Sequence, residues 1–325
     1  MKIKIPTNQE WQEFLEKPPN YSFFQLPLWA EVYEKTYPYC KVATKLFLFD
    51  NGVEILVPLI EKSYRFGFKS YESLADGGYG GFLWNRKPSE GQIKQILKYL
   101  FKNRFLRLII NPDPFQWKNF QFLEKYGFKG EWVFTHILKL NKPEILWQDF
   151  TYACRKNIKR TQKENLKIVE GKLDDLTLYY EMYKESTKRW GKKINKMIPL
   201  KFFQKLLQLG QNRIKLFFVE KENRKIAGAI IGYGKNETFQ CHTASFYQYE
   251  NLRPNNFWEW EVIKDSYQKG YKVHNFGASV GLSGVQRFKE SFGAEKLNYK
   301  YFVYERPLLR IYKKAKLILR SLVKK

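Results

Sequence analysis

The chain is predicted to fold as two similar α/β (α+β) domains with mixed sheets, set in tandem. Its 325 residues, 44% of them hydrophobic, suffice for two ordinary cores. A strand–turn–strand pattern occurs twice: residues 45–49, a polar turn and the apolar run 55–60, then residues 215–219, a polar turn and the apolar run 226–231. A later echo repeats too, since residues 123–127 lead into a strand at 132–140 as residues 288–293 lead into one at 297–304. The two pairs are offset by 170 and 165 residues. That is a duplicated domain rather than a solenoid, whose repeats run roughly 20–50 residues. Two similar domains are expected to leave a cleft between them, a favoured place for ligands.

The elements follow in order. Residues 8–17 and 27–36 read as short helices, and a strand pair spans 42–60. A glycine-rich turn, 76–81, comes next. The stretch 92–102 sets Ile93, Ile96, Leu97 and Leu100 on one helical face. A buried strand, 105–110, is stopped by Asn111-Pro112-Asp113-Pro114, because proline lacks a donor and restricts the residue before it. A helix at 115–126 and the strand 132–140 close a first domain, 1–140, and 141–143 is the expected linker. A second domain, 144–305, opens with a basic helix at 153–165, followed by helices at 172–190 and 199–209. Strands at 213–220, 225–233 and 237–246 form a meander. A helix at 253–268, a strand at 273–276, a helix at 284–291 and the strand 297–304 complete it. Helices crossing a mixed sheet, used twice, give the predicted class.

The formal net charge is +26, with +6 in residues 1–140 and +20 in the remainder. An acidic partner for the second half is expected: nucleic acid, anionic lipid or a phosphorylated substrate. The alternative is a basic proteome that raises every surface. Cys40, Cys154 and Cys241 lie far apart with no CxxC spacing, which suits reduced thiols in a cytoplasmic protein. The cysteines and His136, His242 and His274 lack metal-ligand spacing, so neither a zinc site nor any other cofactor is expected. The N-terminus has no signal-peptide core, and no run approaches the roughly 18–20 apolar residues of a membrane span. Residues 306–325 carry eight basic side chains and no acidic ones. There Leu308, Ile311, Tyr312, Ala315, Ile318 and Leu322 share one helical face, and Lys313, Lys316, Arg320 and Lys324 another. That pattern predicts an interfacial helix on an anionic membrane, peripheral at its inner face. A helix packed on the second domain is the alternative.

The strand 237–246, the helix after Pro254, Gly270, Val273-His-Asn-Phe-Gly277 and Phe288-Lys-Glu-Ser-Phe-Gly293 form an ordered signature. It resembles the FemAB/FemX family of peptidoglycan interpeptide-bridge aminoacyltransferases over nearly the whole chain. Gln25-Leu-Pro-Leu-Trp29 is similar to the family's early Gln…Trp element, and the turn 76–81 to its glycine-rich turn. Arg155-Lys-Asn-Ile-Lys-Arg160 is similar to the basic start of its second domain. The resemblance implies two tandem GNAT-like (acyl-CoA N-acyltransferase-like) domains. It also implies transfer of an amino acid from aminoacyl-tRNA to an amine of a peptidoglycan precursor, lipid-linked or nucleotide-linked. Phe288-Lys289 stands where the family has a lysine near the reacting centre, and Arg189 where an arginine helps hold the sugar-nucleotide phosphates. Several positions depart. Glu31 stands in place of a phosphate-contacting lysine and Asn111 in place of an Asp considered as a base. Gln240 and His242 replace tyrosines that line the acceptor site, and Asn275 replaces a frequent Asp.

The residues carry their own arguments. A fixed ammonium at Lys289 stabilises the oxyanion formed when an amine attacks an ester, or meets the donor's terminal ribose or phosphate. A surface lysine on a helix is the alternative. Lys156, Lys159, Arg160, Lys163 and Lys167 follow helical spacing, and that basic face suits a tRNA backbone. A solvated face is the alternative. The Arg189 guanidinium grips a diphosphate bidentately, or merely complements a helix C-terminus. Thr238, Gln240 and His242 alternate with Phe239 and Cys241, so one polar strand face is expected to line a cleft. A hydrogen-bonded, partly buried His242 is the alternative; His136 and His274 read as structural. Asp113 is expected to cap the next helix rather than act as a base.

Three functions compete. The first is aminoacyl transfer from charged tRNA. The second is GNAT-type acyl transfer from acyl-CoA in cell-envelope or polysaccharide modification. Against it, the stretch 251–256, Asn-Leu-Arg-Pro-Asn-Asn, has no glycine and a proline where a pyrophosphate needs free N–H donors. The third is a non-enzymatic RNA- or membrane-binding module.

Overall fold

A computed structural model of the chain describes every residue except 75–77, 104, 191–196, 280 and 310–325. The turn 76–81 lies partly, and the tail 306–325 mostly, outside the described residues. Two compact units are present: Met1–Val133 with the segment from Tyr299, and Phe134–Asn298. The chain thus changes unit inside two strands, not at 141–143, and residues 299–305 join the first unit rather than the second.

In the first unit, β1 (Lys2–Lys4), α1 (Asn8–Leu15), α2 (Pro27–Thr36), β2 (Cys40–Val42) and β3 (Lys45–Leu48) lead to β4 (Glu54–Val57) and β5 (Ile60–Ser63). Then come β6 (Lys69–Glu72), β7 (Leu83–Trp84), α3 (Glu90–Lys102), β8 (Arg107–Ile110) and the start of β9 (Lys129–Lys139). Capping boxes start α1 at Thr7/Glu10 and α3 at Ser89/Gln92. Helix α3 buries Ile93, Ile96, Leu97 and Leu100, the face its spacing predicts. The apolar run 55–60 is two strands, not one. Pro58 interrupts it, so β4 joins an antiparallel sheet ordered β1-β3-β4-β7 while β5 pairs with β2 and β6. Strand β6 lies parallel to β8.

The second unit holds the rest of β9, then α4 (Pro143–Asp149), α5 (Tyr152–Thr161), β10 (Lys167–Glu170), α6 (Leu176–Trp190) and α7 (Leu200–Gly210). It continues through β11 (Ile214–Lys221), β12 (Arg224–Tyr233), β13 (Glu237–Ser245), α8 (Pro254–Gln268), β14 (Val273–Gly277) and α9 (Ser283–Ser291). Strand β15 (Glu295–Glu305) carries the chain back to the first unit, where it pairs with β8. The sheet order is β10-β11-β12-β13-β14-β9. All these pairs are antiparallel except β13–β14. Both faces are covered. A Cβ on Gly228 would stand 2.9 Å from the Tyr179 ring, so glycine lets α6 approach. On the opposite face Ala227, Ala229 and Ile231 pack with Trp258 and Val262 of α8.

Candidate active site

Strands β13 and β14 pair only over Glu237–Phe239 and Val273–Asn275. Beyond Phe239 the register ends, and a cavity of about 580 Å³ opens within the second unit. Gln240 to Ser245 line it on the β13 side, and Phe276, Ala278 and Ser279 on the β14 side. Arg189, Trp258, Phe288 and Lys289 complete the parts that matter here. Five predicted site residues therefore meet in one place: Lys289, Phe288, Arg189, Gln240 and His242.

Lys289 is no surface lysine. It is 4% exposed, and its ammonium donates to the carbonyls of Gly277 and Ala278, both at 2.9 Å. Burial brings its pKa down to about 8, against a smaller opposing pull from the Glu259 carboxylate. The group stays mostly charged at neutral pH. An ammonium has three donors, and these carbonyls take two. Phe288 is half-buried against Phe292, which holds α9 in place.

Gln240 and His242 were expected on one strand face. The structure places them on opposite faces. Ile230 pairs with His242 but Ile231 with Gln240, so Cys241 is an extra, bulged residue. A one-residue slip reverses every following side chain. His242 turns toward α6 and α7, among Tyr183, Phe202 and Phe203, and burial lowers its pKa to about 4. Gln240 turns toward α8, where its Nε2 donates to Glu259 Oε2 at 3.2 Å.

Glu259 is the residue that sequence reasoning missed. It is fully buried on α8, with Oε1 2.9 Å from His274 Nε2. His274 Nδ1 lies 2.8 Å from the Thr238 hydroxyl. Burial pushes the Glu259 carboxyl up, opposed by the His274 bond. His274 is thus structural in placement but belongs to a polar chain that ends on Gln240. A glutamate between Trp258 and Trp260 in α8, with a histidine on the next strand, was the available signal.

Arg189 is exposed and partly committed: Nη2 donates to Ser186 Oγ at 3.1 Å and the Ser245 carbonyl at 3.0 Å. The helix α8 begins at Pro254 after Arg253 in left-handed conformation (φ 55°). Glu250 and Asn255 line the cavity beside it. An approaching pyrophosphate there meets a carboxylate and a proline, not a glycine cradle.

Lys156, Lys159 and Arg160 are exposed on α5. The helix ends at Thr161, four residues short of expectation, so Lys163 stands in the following turn, also exposed. Arg155 turns inward and caps the carbonyls of Trp147, Gln148 and Phe150. Asn111 lies in the first unit, buried at the end of β8. Its Nδ2 donates to the Gly78 carbonyl at 2.9 Å and its backbone N–H to Ser73 Oγ at 2.7 Å, tying down the glycine-rich turn. Nearby Asp113 is buried and accepts the Phe115 N–H at 2.8 Å. It closes a turn instead of capping a helix start, and burial lifts its pKa to about 6. Among the described residues no cluster of His, Cys, Asp and Glu has the arrangement of a metal site.

The splayed parallel pair beside a bulged strand is the arrangement of a GNAT-like fold. Residues 151–290 match the acetyltransferase (GNAT) domain family. The whole architecture is similar to the crystal structure of FemX, at TM-score 0.79 and 15% identity, covering 96% of this chain and 99% of that one. It is also similar to a tandem GNAT protein from the clavulanic acid biosynthesis pathway, at TM-score 0.56 and 9% identity, covering 94% and 98%. A lipid II:glycine glycyltransferase of Staphylococcus epidermidis is 23% identical over 143 residues, 41% of this chain and 34% of that relative. The chain thus matches only about a third of that protein's length. The fold is a tandem GNAT-like fold related to that of FemX.

Proposed function

We propose that this chain transfers an amino acid from aminoacyl-tRNA to an amine of a peptidoglycan precursor. The observation that carries the reading is the mouth of the cavity. A cationic wall at Lys289 faces the reaction space, while the start of α8, whose free N–H groups would be the donors for a pyrophosphate, carries Pro254 and has Glu250 in the cavity lining beside it. The acceptor amine attacks the ester carbonyl carbon. The C–N bond forms, the bond to the ribose oxygen breaks, and the amine's proton passes to the leaving hydroxyl or to water. The Lys289 ammonium stabilises the intermediate oxyanion, and Gln240, fixed by Glu259, presents its amide oxygen to a donor on the substrate. The exposed Lys156, Lys159, Arg160 and Lys163 suit the tRNA backbone, and Arg189 at the rim suits a phosphate on the acceptor.

Acyl-CoA transfer is the second reading, favoured by the match of residues 151–290 to the GNAT domain. Filter binding separates the two. The first reading predicts tRNA binding that weakens steeply as salt rises, through counterion release. Tight acetyl-CoA binding with no tRNA binding would overturn it.

A further inference from the structure

The hairpin joining β5 to β6 is unlike the rest of the surface. Tyr64, Arg65, Phe66, Gly67 and Phe68 are five consecutive exposed residues. Phe66 is 92% exposed, Tyr64 52% and Phe68 41%. Tyr39 adds a fourth ring, 41% exposed, on the strand side where its carbonyl accepts the Ser63 N–H at 2.8 Å. Scattered exposed apolar residues need no explanation, but a contiguous aromatic tip does.

The tip is also built, not frayed. The Tyr64 N–H donates to the Phe68 carbonyl at 2.7 Å, and the Tyr64 hydroxyl sits 3.0 Å from Ser70 Oγ. Ion pairs Lys62–Glu72 and Lys69–Glu61, both 2.8 Å, clamp the stem. Phe66 is held at φ 62°, a left-handed conformation that costs a bulky side chain energy and usually falls to glycine. The fold thus accepts strain to project a bare phenyl ring into solvent. Its charge says which surface suits it. Lys62 and Lys69 are paired with Glu72 and Glu61, so over Glu61–Glu72 Arg65 is the cation outside those pairs, set at the tip between Tyr64 and Phe66 on a chain of net charge +26.

We infer that this hairpin docks the protein on an anionic phospholipid bilayer, with Phe66 and Phe68 entering the headgroup–acyl boundary and Arg65 meeting lipid phosphates. Aromatic rings favour that boundary, and basic residues beside them add attraction to anionic lipid. The contact is independent of the transferase chemistry.

Flotation of the full chain with phosphatidylglycerol/phosphatidylcholine vesicles tests it, beside pure phosphatidylcholine. The wild type is expected to float with the anionic vesicles and far less with neutral ones. Phe66→Ser with Phe68→Ser is expected to weaken partitioning by about tenfold. Phe66→Gly relieves the left-handed strain, so it should weaken binding, by less than the double variant, without a lower melting temperature, which separates docking from folding. Undiminished flotation of the double Ser variant would overturn the inference by assigning the contact to another surface. So would absence of wild-type binding, or a concentration-dependent dimer abolished by Phe66→Gly.

Discussion

Lys289 spends two donors on the carbonyls that end β14, and its remaining charge faces a cavity. Two consequences follow. Replacing it with methionine leaves two buried carbonyls without donors, so Lys289→Met should lower stability by about 1–3 kcal/mol as well as abolish turnover. A charge requirement has a sharper signature. The ammonium is the active form, so turnover should fall as pH rises through about 8. Glu259 helps keep that ammonium protonated. Glu259→Gln should therefore move the alkaline limb of the rate profile to lower pH while the fold persists; an unmoved limb would disconnect the pair. Asp113 gives a stability test in the other unit. Its folded pKa, about 6, lies above the unfolded value, so protonation favours the folded state. Its stabilising effect is complete below the unfolded pKa and is lost as pH rises through about 6. Asp113→Asn should then melt higher than wild type at pH 7, by on the order of 1–3 kcal/mol, with the gap closing toward pH 4. Urea melts at the two pH values check it.

Single elements show what the sequence made legible and what it did not. Periodicity located α3 and its buried face, and it located the β11–β12 hairpin and the strand–helix–strand run from β13 to β14. Cys241 defeats it, because a bulge leaves the alternation of 238–242 unchanged on paper while reversing the side chains in space. Pro58 was visible and should have split 55–60. Lys289 and Gln240 were found as residues, but their burial and bonding depend on Gly277, Ala278 and Glu259, which approach only through the tertiary fold. Helix α5 ended early because Gln162 to Asn165 form a turn, with Asn165 at φ 50°. Its outer charges remain a clean target. Charge reversal at Lys156, Lys159 and Lys163 should weaken tRNA binding at least tenfold with a melting temperature near wild type, since exposed substitutions cost little. Equal affinity in that variant would remove α5 from the donor site.

At the scale of the molecule, duplication read from two echoes 165–170 residues apart corresponds to two units, yet the chain exchanges between them within β9 and β15. No linker composition marks such a passage, because each strand runs through it without a break. The cavity lies wholly in the second unit, whose residues 134–298 hold 30 basic and 17 acidic side chains, a net charge of +13. The fold alone would serve acyl-CoA as well as aminoacyl-tRNA. The measurement that separates them most directly supplies the protein with peptidoglycan precursors and, in parallel, with a pool of charged tRNAs or with acyl-CoAs. The mass of the acceptor is then read. An aminoacyl increment on the precursor, dependent on charged tRNA and lost in Lys289→Met, is the predicted result; an acyl increment from CoA alone, or an unchanged acceptor with both donors, would contradict it.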